Sequence, residues 1–418
     1  MQIDNTTEAL GEISQAADAI GADFWPVNKR IHDNPELAWH EYIAHDTLTT
    51  FMEAQPGWTV KRSVYGLETA WIAEFDSGRP GAVVSFNAEY DSLPGIGHAC
   101  GHNLIATASV VGAVAAAQVA ASKKLPGKIV LYGTPAEENG GGKIKLIEAG
   151  AYTDYNVDLN LISHPNIQPT AARMGTTGIS SFKVEYFGVP AHAAANPWLG
   201  INALDALVQG YNNLSMLRQQ TMPGEIIQGH ITHGGDASNI IHKYAAGMFT
   251  VRADSNHRLE ILREQVEKCF LAGALATGAK LKINTVGAYK NHVSNGPMAD
   301  VFTRYYNNLG KDYAISTDAD KDATNGKTQA STDQGDISYA MPSISPMYEI
   351  EAGEGGQGPH NPGFTASAGT KVSYDRALRV AKGLAGVAVD ALRDERFLGE
   401  IKSSWKQDME KFNGGSAA

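Results

Sequence analysis

Cysteine is nearly absent: 418 residues carry two, Cys100 and Cys269. Two thiols cannot build a disulfide framework, so stability must come from a packed core, and a reducing cytoplasmic setting that keeps Cys100 free is expected. Basic runs are missing too. The 34 Lys and Arg are outnumbered by 45 Asp and Glu, for a net charge of −11, and no cluster of the kind that tracks phosphates occurs, which argues against nucleic acid as a partner. The N-terminal stretch Met1-Gln-Ile-Asp-Asn-Thr-Thr-Glu8 has neither a basic n-region nor an apolar h-region, so no secretory leader is expected in it. The longest apolar stretch, 104–121, is Ala-rich and interrupted by Ser, Thr, Gly and Gln; it predicts a buried helix, with no membrane as a partner. Several familiar motifs fail. Gly140-Gly-Gly-Lys143 is followed by Ile144 where a phosphate loop needs Ser or Thr. Gly95-Ile-Gly97 lacks the third glycine of a dinucleotide turn, and no Gly-x-Ser-x-Gly elbow occurs.

What is present begins with length: 418 residues are too many for one ordinary core, so two domains are expected. Helical periodicity over 8–31 and 41–54 is followed by strand-like alternation at 58–64 and 68–76 and an apolar strand at 82–88. A long helix starts near Asn103, a strand covers 128–132, a helix 143–149 and a strand 157–162. This alternation predicts an α/β fold, a mostly parallel sheet sandwiched by helices. From residue 179 the order changes to β-α-β-β-α-β: strands at 179–187, 225–232, 244–253 and 280–286, helices at 201–218 and 256–275. That is a ferredoxin-like α+β unit, complete in itself. Long helices then resume (297–309, 366–392) with one more strand, 346–351. The expected organisation is a catalytic domain in two parts, 1–178 and 292–418, interrupted by an inserted domain, 179–291. The tail after Ser403 is expected to fray.

One stretch organises the chemistry: Gly95-Ile-Gly-His-Ala-Cys-Gly-His102-Asn103, on a turn between the 82–88 strand and the long helix. Open α/β sheets place their chemistry at such turns. Cys100 and His102 are two borderline-soft ligands aimed into one place. Taken alone, the pair reads as well as a buried cysteine and a solvated histidine. Other strand ends add Glu137-Glu138, His164, and His360 in a Gly/Pro-rich loop. In a parallel sheet these ends open on one edge. The set then supplies a thiolate, three imidazoles and two carboxylates, enough for two divalent cations and one spare base. Two such cations sharing a water lower its pKa towards neutrality, and a carboxylate not spent on metal must take its proton.

The motifs Glu89-Tyr-Asp-Ser-Leu-Pro94, Gly-His-Ala-Cys-Gly-His-Asn103, Gly133-Thr-Pro-Ala-Glu-Glu138, Ser163-His-Pro165, Gly188-Val-Pro-Ala-His-Ala193 and Gly358-Pro-His-Asn-Pro362 span nearly the whole chain in order. They resemble the aminoacylase/carboxypeptidase superfamily of dinuclear metallopeptidases, in its hippurate hydrolase and auxin-conjugate amidohydrolase branch, with the β-alanyl-lysine dipeptidase-like group most similar. The resemblance implies a zinc-exopeptidase-like catalytic domain holding two divalent ions, Zn2+ or Mn2+. It implies Cys100, His102, Glu138, His164 and His360 as metal ligands, with Asp91 supporting them from behind. It implies Glu137 as general base and acid, His192 as a donor to the oxyanion, and Asn239 and Arg252 as binders of a substrate carboxylate. It also implies that the inserted domain is a lid and the contact of a homodimer. Many superfamily members have a metal-binding histidine where this chain has Glu89, a role passed here to Cys100 and His102. Auxin-conjugate relatives have Asp where this chain has Asn103, a change expected to bear on substrate preference.

The expected activity is therefore hydrolysis of an amide next to a free carboxylate, in a dipeptide or an N-acyl amino acid, with a small-molecule amide as the substrate. Alternatives remain open at this point. The same two-metal site could hydrolytically deaminate an aromatic amine. Cys100 could act as a nucleophile, though adjacent turn positions give poor geometry with His102 and leave the other donors unemployed. A non-catalytic metal-binding protein would be expected to lack the spare base, and Glu137 is present.

Overall fold

A computed structural model describes residues 5–412. The chain divides into two units, one comprising the described residues up to Gly175 together with His292–Met409, the other Thr176–Asn291 with Glu410–Phe412.

The first unit opens with helices α1 (Asn5–Asp33) and α2 (Tyr42–Glu53). Strands β1 (Trp58–Arg62), β2 (Trp71–Asp76) and β3 (Val83–Glu89) follow, then α3 (His102–Ser122), β4 (Lys128–Thr134), α4 (Gly142–Glu148), α5 (Ala151–Asp154), β5 (Leu159–Leu161) and β6 (His164–Asn166). The second unit is β7 (Gly178–Phe187), α6 (Ala203–Leu217), β8 (Ile226–His233), β9 (Tyr244–Ala253), α7 (Asn256–Thr277) and β10 (Lys280–Tyr289). The chain then returns to the first unit with α8 (Gly296–Asn307), α9 (Ala319–Asn325), α10 (Gln334–Ala340), β11 (Ser343–Ile344), β12 (Met347–Glu349), α11 (Pro362–Ala368), α12 (Lys371–Arg393) and α13 (Glu395–Phe412).

The main sheet runs β1-β2-β4-β3-β5-β11. Strands β4, β3, β5 and β11 are parallel neighbours, while β1 and β2 pair antiparallel. Every residue of β3 is buried, as expected of a strand covered on both faces. The apolar helix α3 has the length and hydropathy of a membrane span, yet 89% of its most apolar window is buried in the core. Its apolar surface is spent on α1, α12 and the sheet. The second unit is a β-α-β-β-α-β element in which four antiparallel strands are ordered β10-β7-β9-β8. Side chains of β7 alternate between buried and half-buried, and the buried set packs with Leu207, Leu214, Leu262 and Phe270 of α6 and α7.

Three local expectations are corrected. The strand expected over 346–351 is the shorter β12, which pairs with β6 in a separate two-stranded sheet, and the main sheet is completed by β11 just before it, which was not expected. The helix expected over 366–392 breaks at Gly369-Thr370, where the Thr370 hydroxyl accepts from Ser373 N and starts α12 afresh. The tail after Ser403 continues as helix to Phe412 because Ile401 and Met409 are buried; its last residues, 413–418, lie outside the described residues.

Candidate metal centre

The end of β3 delivers Glu89 and, two residues on, Asp91; both are buried. The chain returns through the Cys100 turn into α3. Gly101 stands between the two donors because its φ is +78° and a Cβ there would lie 2.6 Å from Pro165 Cγ. Only glycine meets both conditions. The end of β4 delivers Glu137 and Glu138 after Ala136, itself left-handed at φ +57°. Buried Glu41 holds that turn: one of its oxygens accepts Ala136 N at 2.8 Å and the other the Thr69 hydroxyl at 2.7 Å. His164 begins β6. His360 comes from the loop before α11, with φ +66° and its N–H donated to Ala99 O at 2.8 Å.

These residues converge. Cys100 Sγ stands 3.3 Å from His164 Nε2. His102 Nε2 lies 3.5 Å from Glu89 Oε2 and 3.8 Å from both Glu137 Oε2 and Glu138 Oε1. Glu138 Oε1 is 3.6 Å from His360 Nε2. Donor atoms of Cys100, His102 and His164, of Cys100, Glu138 and His360, and of His102, Glu137 and Glu138 each fall within 4.8 Å of one another. Most of these separations are too long for hydrogen bonds, but they suit ligands on a shared ion: tetrahedral donors about 2.0–2.3 Å from a metal stand about 3.3–3.8 Å apart. Three buried atoms, Glu89 Oε2, His102 Nε2 and Glu138 Oε1, have no hydrogen-bond partner among the described residues. Orphaned buried polar atoms are costly, and cations bound among them would satisfy these. The donor set fits a metal.

The ring nitrogens facing the cluster are free to bind because their partners fix the proton elsewhere. His102 Nδ1–H donates to Asp91 Oδ1 at 3.0 Å, and His164 Nδ1–H to Pro165 O at 2.7 Å, leaving both Nε2 lone pairs inward. Asp91 also supports Glu138, since its Oδ2 accepts Glu138 N at 3.0 Å. Burial lowers the pKa of His164 to about 4, keeping it a neutral ligand. Burial, with the Glu89, Glu138 and Asp333 carboxylates around it, raises Glu137 well above the usual carboxylate range, a setting suited to proton transfer. Burial and the neighbouring Glu138 push the Cys100 thiol up, the reverse of what a nucleophilic cysteine needs.

His192, Asn239 and Arg252 belong to the second unit. His192 is exposed, and its Nδ1 accepts the backbone N–H groups of Ala194 and Ala195 at 3.2 and 3.1 Å. That places its proton on Nε2. Asn239 is its neighbour, exposed and accepting Ala193 N at 3.0 Å. Arg252 is half-buried on β9, opposite Ile179 and Ile226.

Asn103 does not face the cluster. It is buried, and its amide donates to Asn28 Oδ1 at 2.9 Å and Ala368 O at 3.0 Å. An aspartate has no proton for either bond, so packing alone gives this position a reason to be asparagine. Sequence reasoning missed Glu41, Lys143 and Asp333. The only available signal was Lys143, a lysine placed directly after three glycines at the start of a helix.

A buried cage of thiol, imidazoles and carboxylates, with a spare glutamate beside it whose pKa burial raises, is the donor set of a metal-dependent hydrolase. Comparison with known proteins places it more closely. Residues 83–371 match the model of peptidase family M20/M25/M40. The chain is 39% identical over 409 residues to the Xaa-Arg dipeptidase of Mus musculus, covering 95% of this chain and 91% of the mouse protein. It is 24% identical over 463 residues to a p-aminobenzoyl-glutamate hydrolase protein of Escherichia coli, covering 93% of this chain and 94% of that one. In structure it is similar to the Bacillus subtilis YXEP protein, described as a dinuclear metal binding peptidase from the M20 family, with a TM-score of 0.65 at 17% identity over 90% of this chain and 99% of that one. The chain belongs to the M20 peptidase family and is a metal-dependent amidohydrolase.

Proposed function

We propose that this chain is a dinuclear metallopeptidase that hydrolyses the amide of a dipeptide, or of an N-acyl amino acid, next to a free carboxylate. The convergence of Cys100, His102, Glu138, His164 and His360 carries the reading. These five would hold two divalent ions, zinc or manganese, which when bound supply Lewis acidity and an acidified water. Asp91 fixes the ring of His102 and the backbone of Glu138. Glu137 takes the proton of the attacking water and passes it to the leaving amine. His192, with its proton on Nε2, donates to the oxyanion, and Asn239 and Arg252 hold the substrate carboxylate.

The 39% identity to a protein named Xaa-Arg dipeptidase favours dipeptides with a basic C-terminal residue. The inserted ferredoxin-like domain is read as lid and homodimer contact, a role suited to the largely exposed edge strand β8. A reducing cytoplasm suits the free thiol of Cys100. The test is a substrate panel on the chain loaded with zinc or manganese: Xaa-Arg and Xaa-Lys dipeptides, neutral dipeptides, acyl amino acids and an aromatic amine. Basic dipeptides are expected to turn over best, with activity lost on chelation and regained with metal. Turnover that survives chelation, or that is confined to amine release from an aromatic ring, overturns the reading.

A further inference from the structure

Beside the ligand cluster lies a second buried group that the proposed reaction leaves unused. Lys143, near the start of α4, is fully buried. Its ammonium contacts two carboxylates, Glu89 through Oε1 and Asp333 through Oδ1. Asp333 Oδ2 accepts the backbone N–H of the same lysine at 2.9 Å. Both oxygens of Asp333 are therefore spent on Lys143, which fixes where the ammonium sits. The backbone reaches this point because 140–142 are glycines. A Cβ on Gly142 would lie 1.8 Å from Pro135 O, and one on Gly140 would lie 2.6 Å from the Trp39 indole. The triple glycine that fails as a phosphate loop is what lets a lysine be driven into the core.

The other oxygen of Glu89, Oε2, points away from the lysine. It has no hydrogen-bond partner among the described residues and stands 3.5 Å from His102 Nε2, which has none either. Glu89, Glu137 and Asp333 also offer oxygens within 4.8 Å of one another. Three carboxylates this close repel unless a cation lies among them, and Lys143 is that cation. An ammonium on one oxygen of Glu89 sets the direction of the other oxygen.

We propose that Lys143 is a positioning residue of the metal centre: acting through Glu89, it holds Glu89 Oε2 facing the ligand cluster beside His102. The proposal rests on the two-metal reading above. It differs from a merely structural role, in which Lys143 and Asp333 tie α4 to the segment before α10 and nothing more.

The experiment measures zinc affinity by chelator competition, alongside thermal unfolding. Removing one member of a buried pair leaves a stranded charge, so Lys143→Met is made together with Asp333→Asn. This double variant is expected to unfold within a few degrees of the parent and to bind zinc about 10–100-fold more weakly, the usual loss when an outer partner of a ligand set is removed. Glu89→Gln is expected to lose as much, and combining all three substitutions to lose no more than either alone. Zinc affinity in the double variant within about threefold of the parent, or losses that multiply on combination, overturns the proposal. Should the double variant not fold, Glu89→Gln decides, since it leaves Lys143 and Asp333 paired. Parent-like affinity there overturns the proposal, and the 10–100-fold loss supports it. A parent chain that takes up neither zinc nor manganese overturns the metal reading and this proposal together; a parent that binds while the variants match it overturns this proposal alone.

Discussion

The two units treat their polar residues in opposite ways. In the first, β3 is buried at every position and the clustered donors, His360 apart, are buried or half-buried and braced by neighbours: Asp91 behind His102, Glu41 behind the turn that carries Glu137. In the second, strands alternate, and His192 and Asn239 are exposed with only local backbone partners. Low dielectric strengthens charge interactions and makes an unpaired polar atom expensive. The residues proposed to grip a cation, and the glutamate whose pKa burial raises, belong to the first unit. His192 and Asn239, proposed to meet the substrate, stay exposed in the second.

Substitutions on each side can break this contrast. The largest effect is expected for Glu137→Ala: turnover lower by about 10²–10⁴-fold with zinc uptake retained, read by steady-state kinetics and metal analysis. Full turnover would remove the buried proton carrier from the account. His192→Gln should lower kcat by about 10²–10³-fold while zinc affinity stays that of the parent; a fall in zinc affinity would erase the distinction between the units. Arg252→Ala should raise KM about 10–100-fold, the loss of a charge-assisted hydrogen bond, with kcat little changed. The smallest effect concerns stability alone. Burial lowers His292 to about 4, with Nδ1 on Met174 O at 3.0 Å and Ser343 Oγ 3.3 Å from Nε2. The folded chain thus holds this ring neutral where the unfolded chain, near 6.5, binds a proton. Its contribution is complete above about pH 6.5 and is lost as the pH falls from there to about 4, at up to about 1.4 kcal/mol per unit. Melting curves across that range should fall less steeply for His292→Asn than for the parent.

The clustered residues were legible in part because Glu137, Glu138 and His164 follow apolar strands whose ends gather on one edge of the sheet, whereas His360 comes from a Gly/Pro-rich loop. Their supports were not. Glu41 reads as an ordinary acidic residue before a helix, and only the packed chain brings it to Ala136. Asp333 is remote in sequence from the lysine it orients. The surroundings of Asn103 were not legible, because its place in a motif says nothing of which way a helix turns it, and here α3 turns it towards Asn28. The break at Thr370 was missed because apolar periodicity runs through it, while the cap that restarts the helix is one hydroxyl.

The order in which the main sheet is assembled has its own consequence. Strand β5 finds its outer neighbour only when Ser343–Ile344 pairs with Asn160–Leu161, and His360 comes later still. A ribosome thus emits the whole of the inserted unit while β5 remains an open, apolar border. Such long-range parallel pairing closes slowly. The proposed ligand set, with His360 its last member in sequence, is complete only after that border has been closed.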